Sequence, residues 1–109
     1  MRGLTWCSIV ALTALLGAAR QQTPVTGRDI YRARCSMCHG VEGRGDGPMA
    51  ANLRPRPTNF ADSTQWSART DSAVADVIMR GRRTMPAFGR MLTRVQVDSV
   101  VAHLRTLRR

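Results

Sequence analysis

Large aromatic side chains are scarce in this sequence, with two tryptophans, one tyrosine and two phenylalanines in 109 residues, and lysine is absent altogether. The first shortage means a thin core. A chain of this length suits one small domain, and once an N-terminal export segment is discounted about 90 residues remain, a size that buries only about 60–70% of its unfolded surface. Tyr31, Phe60, Trp66 and Phe88 are the aromatics left to it. Disulfides are the usual remedy in small exported domains. Of the three cysteines, however, Cys7 falls in the export segment, and Cys35 and Cys38 stand too close together for their loop to stiffen a domain. A large apolar cofactor would supply the missing core.

Acidic residues are the next shortage. Seven acids face seventeen basic residues, all arginine, for a formal net charge of +10. Such an excess suits nucleic acid, an anionic membrane or an acidic protein surface; export argues against nucleic acid and leaves an acidic protein partner as the expectation. Long apolar runs are missing except at residues 1–19, MRGLTWCSIVALTALLGAA, which open with Arg2, pass through Leu, Ala and Val, and end on small residues. That is the pattern of a secretory signal, and the run falls short of the roughly 20 residues that span a bilayer. The expected organisation is a cleaved signal peptide at 1–19, a linker at 20–25 and one domain at 26–109. Membrane contact then arises only if the signal is retained or a partner is membrane-bound.

No segment alternates in the manner of a strand, whereas three carry helix signals. Thr26 and Asp29 form a capping box, with Val25 and Ile30 spaced as a hydrophobic staple, ahead of GRDIYRARCSMC. Thr70 caps a second helix whose apolar stripe is Val74, Val77 and Ile78 and whose stop is Gly81. Thr93 and Gln96 make a second capping box, followed by Val97, Val100, Val101, Leu104 and Leu107 at helical spacing, with Arg105, Arg108 and Arg109 suited to the C-terminal dipole. Residues 40–69 hold the breakers GVEGRGDGP and RPRP and read as a long loop, a feature that is uncommon unless it wraps something.

The first helix ends in CSMCHG, residues 35–40. Structural zinc needs four ligands, and only Cys35, Cys38, His39 and His103 are available, with His39 poorly placed beside Cys38 in one tetrahedron. A thioredoxin-like pair follows a strand within an alternating pattern, which is lacking. C-x-x-C-H is the signature of c-type haem attachment: two thiols spaced to add to the vinyl groups of one porphyrin edge, and an imidazole beside them to bind iron from that side. A carrier that excludes oxygen fills the other axial position, and methionine does so in cytochromes c. Met37 lies within the attachment loop, Met49 follows the glycine-rich turn close to His39, and Met79 sits beside an apolar stripe. Met85, in a loop before Pro86 and far enough along the chain to reach the opposite face, is the leading candidate, with Met91 second.

Together CSMCHG, GRGDGP, LRPRPTNF, MPAFG and VVAHLRTL resemble the single-haem class I bacterial cytochromes c, in particular the haem subunits of cbb-type oxidases and small periplasmic cytochromes. The resemblance covers about residues 26–108. It implies an all-α small cytochrome c fold, three or more helices and long loops wrapped around one haem c held covalently by Cys35 and Cys38, with His39 and Met85 as iron ligands. It further implies that the Pro48 carbonyl accepts a hydrogen bond from His39, that Leu53, Pro57 and Phe60 line the pocket, and that Arg54, Arg56 or Asn59 meets a propionate. Trp66 is expected at the propionate edge or closing the loop. Gly27 and Tyr31 match the small and aromatic positions where the first helix crosses the last, and His103 stands where the family has an aromatic. The implied function is a periplasmic, non-enzymatic electron carrier serving redox partners; Arg82 and Arg83, just before Met85, are expected to steer partners with acidic docking surfaces. The alternative is a haem-based ligand-binding or peroxidase-like protein in which Met85 is displaced.

Overall fold

The computed structural model describes residues 22–108; the expected signal peptide lies outside them. Helix α1 spans Gly27–Arg34, and its Thr26 and Asp29 form the expected capping box, worth about 1 kcal/mol. Val25, expected as one half of a staple, is 65% exposed. The helix does not run on through the motif as one piece. It breaks at Cys35 and resumes as the short α2, Ser36–His39. Ser36 supplies the cause: its hydroxyl donates to the Arg32 carbonyl at 2.6 Å, and such back-bonding to a residue four earlier bends helices.

The loop read as featureless carries two short elements, a 3-10 turn at Ala50–Asn52 and α3 at Ser63–Trp66. Neither is long enough to display a period, and α3 depends on Asp62, whose carboxylate accepts from the Thr64 N–H. The preceding glycine-rich stretch folds back on α2: the N–H groups of Gly45, Gly47 and Met49 donate to the carbonyls of His39, Cys38 and Met37. Those carbonyls would otherwise lack partners at a helix end. Gly47 packs so closely on the Met37 carbonyl that a methyl group there would collide with it.

Helix α4, Asp71–Arg80, is capped by Thr70 and ends at Gly81; α5, Arg94–Thr106, starts with the Thr93 and Gln96 capping box. Among the described residues the only extended pairing is an isolated bridge between Arg82 and Met85. Helix α5 is the keel. It packs on both α1 and α4, burying Val97, Val100, Val101 and Leu104 against Ile30, Tyr31, Val74 and Ile78. At the α1–α5 crossing a Cβ on Gly27 would fall on the Ser99 carbonyl, so backbone meets backbone there. His103 takes the aromatic position of that crossing, its ring 5.2 Å from that of Tyr31.

Candidate functional site

A cavity of about 310 Å³ opens between the α1–α2 junction on one wall and the segment after α4 on the other; Cys35, Cys38 and His39 line the first wall and Met85 the second. Behind it a smaller space of about 60 Å³ is shared by His39, Met85, Phe60 and Trp66. Met85 is carried on a tight turn in which Arg82 and Met85 exchange backbone hydrogen bonds. The chain beyond it is tied back to α4 by the N–H groups of Phe88 and Gly89, which donate to Ile78 and Met79. Met91 is 53% exposed and lines neither cavity.

The chemistry of the first wall separates the three readings of the motif. Burial, aided by Cys38, pushes Cys35 up to about 11, so it is a neutral thiol, whereas reactive redox cysteines have lowered values. Among the described residues no three His, Cys, Asp or Glu side chains gather as a metal-ion site, and His103 lines neither cavity. His39 is held below the usual histidine range by burial, opposed by its bond to Thr58. Its Nδ1 faces the Thr58 carbonyl at 3.2 Å. A carbonyl only accepts, so Nδ1 carries the proton and Nε2 keeps its lone pair for a metal.

That bond corrects the expectation for Pro48. The GDGP turn is spent on closing the end of α2, Pro48 is exposed, and the acceptor comes instead from the RPRPT segment, which returns past the histidine. Leu53 and Pro57 line the larger cavity and Phe60 the smaller. Of the three residues nominated for a propionate, Arg56 lines the cavity, while Arg54 donates to the Ala51 and Leu53 carbonyls and Asn59 accepts from the Ala61 N–H. Trp66 closes the loop, its indole N–H donating to the Phe60 carbonyl at 2.9 Å.

Arg82 and Arg83 line the cavity, joined by Arg34, Arg56 and Arg69, and none of the lining residues is acidic. Neither Arg34 nor Arg69 was singled out in the sequence, although adjacency to Cys35 was a signal for the first. Also unmarked was the stacking of Phe60 on His39, with ring centroids 4.7 Å apart. The site therefore offers two thiols, a nitrogen lone pair and a facing thioether around an apolar space with a cationic rim. These are the donors a covalently attached haem requires.

Comparison with known proteins agrees. The profile of the family described as cytochrome c oxidase, cbb3-type, subunit III matches residues 22–104. The chain is 28% identical over 97 residues to the cbb3-type cytochrome c oxidase subunit FixP of Azorhizobium caulinodans, covering 86% of this chain and 31% of that protein. It thus spans about a third of that relative's length. Cytochrome c6 of a Synechococcus species is 27% identical over 106 residues, covering 92% of this chain and 89% of its own. Among solved structures, the KustC0563 c-type cytochrome superposes with a TM-score of 0.69 at 27% identity, covering 78% of this chain and all of that one.

Proposed function

The chain belongs to the cbb3-type cytochrome c oxidase subunit III family and has the all-α small cytochrome c fold; from that premise we propose that it is a non-enzymatic electron carrier working in the periplasm with one haem c, ligated by His39 and Met85. The observation that carries this reading is the convergence of Cys35, Cys38, His39 and Met85 on one cavity. A haem bound there supplies an iron that gains and loses one electron.

The protein's residues do the rest. Cys35 and Cys38 provide the thiols for two thioether links. Thr58 holds the Nδ1 proton of His39, which fixes the tautomer and makes Nε2 more basic. Met85 contributes a soft thioether, which raises the potential. Leu53, Pro57 and Phe88 give the cavity apolar lining, and Arg56, which also lines it, would meet a propionate. The exposed arginines at the rim attract an acidic redox partner, an effect that salt screens. Residues 1–19 act as the export signal, with 20–25 as linker.

Expression with export and haem attachment tests the proposal. The product is expected to gain the mass of one haem and to show, when oxidised, the weak long-wavelength band of thioether-ligated iron. Met85→Ala abolishes that band and lets the ferrous protein bind carbon monoxide; Met91→Ala does neither. Carbon monoxide binding by the unaltered protein would instead favour ligand sensing.

A further inference from the structure

We propose that Arg105, near the end of α5, is a positioning residue for the iron centre: acting through Trp66 and Phe60, it sets the plane in which His39 presents Nε2. The inference rests on the haem reading above and extends it to a residue, Arg105, that lines neither cavity.

A contiguous stack connects them. The Arg105 guanidinium lies 4.2 Å from the centre of the Trp66 ring. Trp66 is 2% exposed and meets Phe60 edge-on, with centroids 5.3 Å apart and planes at 77°. Phe60 in turn stacks on His39 at 4.7 Å and 28°. The hydrogen bond from Nδ1 to Thr58 pins one point of the imidazole but leaves the ring free to rock about that line. The face of Phe60 opposes the rocking, and it does so only as far as Phe60 is itself held. Trp66 holds it twice, by ring contact and through the hydrogen bond to the Phe60 carbonyl.

Arg105 is suited to close this stack because its planar fork works on its face and its edge together. While the face covers Trp66, Nε donates to Asp71 at 2.7 Å and Nη2 to the Arg69 carbonyl at 2.6 Å. The side chain is only 21% exposed although its partner Asp71 is 71% exposed. One residue thereby ties α5 to the start of α4 and to the segment after α3. An ammonium has no plane to lay on the indole and no fixed fork, so lysine is not equivalent. The cation over the ring is also partly desolvated, which strengthens the contact.

The orientation of an axial imidazole governs the splitting of the ferric iron orbitals, so the test reads electron paramagnetic resonance g values and the reduction potential of haem-loaded protein. Arg105→Leu is expected to change the spread of g values and shift the potential, and Arg105→Lys to behave like it. Asp71→Asn, a milder surface change, shifts both in the same direction by less. In a Phe60→Leu background Arg105→Leu adds nothing, because the link is already cut. Unchanged g values with merely lowered stability, restoration by lysine, or an undiminished shift in the Phe60→Leu background would each overturn the proposal. The two readings fail separately. Absence of attached haem in the unaltered protein defeats the haem assignment, while normal haem with unperturbed g values in Arg105→Leu and Asp71→Asn defeats the positioning role alone.

Discussion

Arg82 and Met85 exchange both backbone hydrogen bonds, the Arg82 N–H to the Met85 carbonyl at 3.1 Å and the Met85 N–H to the Arg82 carbonyl at 2.9 Å. The turn so closed stands Met85 opposite His39. It requires Arg83 at a φ of 54°, a left-handed conformation that costs a residue with a side chain about 1–2 kcal/mol.

Substitutions at Arg83 therefore separate backbone from charge. Proline, locked near a φ of −65°, cannot make the turn, and Arg83→Pro is expected to lose the long-wavelength thioether band. Arg83→Gly keeps the band and leaves stability unchanged or raises it by up to about 1 kcal/mol. A normal band in the proline variant would show that Met85 does not depend on this turn.

Gly27 makes a second prediction. A methyl group there would run into the Ser99 carbonyl, and both atoms belong to helix backbones that cannot give way separately. Gly27→Ala should destabilise by about 1–3 kcal/mol, the usual cost of overpacking. Thermal unfolding followed by circular dichroism would show a fall of at least several degrees; an unaltered midpoint would mean that the helices cross elsewhere.

His103 gives stability a pH dependence whose sign follows from its surroundings. Burial, then the nearby Arg28 and Arg32, hold its pKa below the usual histidine value. The folded state thus resists protonation more than the unfolded state does. The stabilisation is complete above the unfolded histidine value of about 6.5 and is lost as pH falls from there through the lowered folded value. Denaturant midpoints at pH 7.5 and below 6 should differ accordingly, and the part of the difference due to this residue should vanish in His103→Phe. A proton-resonance titration of His103 above the ordinary value would contradict the sign.

The arginine rim predicts a dependence on reagent charge. Exposed Arg34, Arg56, Arg69, Arg82 and Arg83 surround the cavity, so reduction of the oxidised protein by an anionic metal complex should be fast and should slow as salt is added. With a cationic complex the salt effect reverses. Charge reversal at Arg82 and Arg83 should flatten the anionic response, and stopped-flow rates that ignore ionic strength would remove any steering role for the rim.

Much of this is legible in the sequence. Three helices are, because caps and apolar stripes are local: Thr26 with Asp29, Thr70, and Thr93 with Gln96 each satisfy helix-end donors within one turn. The thiols and imidazole are legible because two links to one porphyrin edge demand close spacing. Met85 is preferred to Met91 for its place in a loop before Pro86, far enough along the chain from His39 to reach the opposite face. The break at Cys35 is not legible, since it hangs on one serine hydroxyl turning inward. Nor is the partner of His39: a backbone carbonyl leaves no mark in composition, and the family resemblance points to Pro48 where the structure has Thr58.

The order of residues alone determined which groups are offered to a haem from the motif side, because the proposed attachment and proximal ligation would act within a single helical turn. What faces that turn was decided by tertiary structure. The Thr58 carbonyl and the Phe60 ring reach His39, and Arg105 reaches Trp66, only because the loop closes over the cavity. Their energies come from packing between segments distant along the chain, and such packing has no period or spacing by which a sequence can announce it.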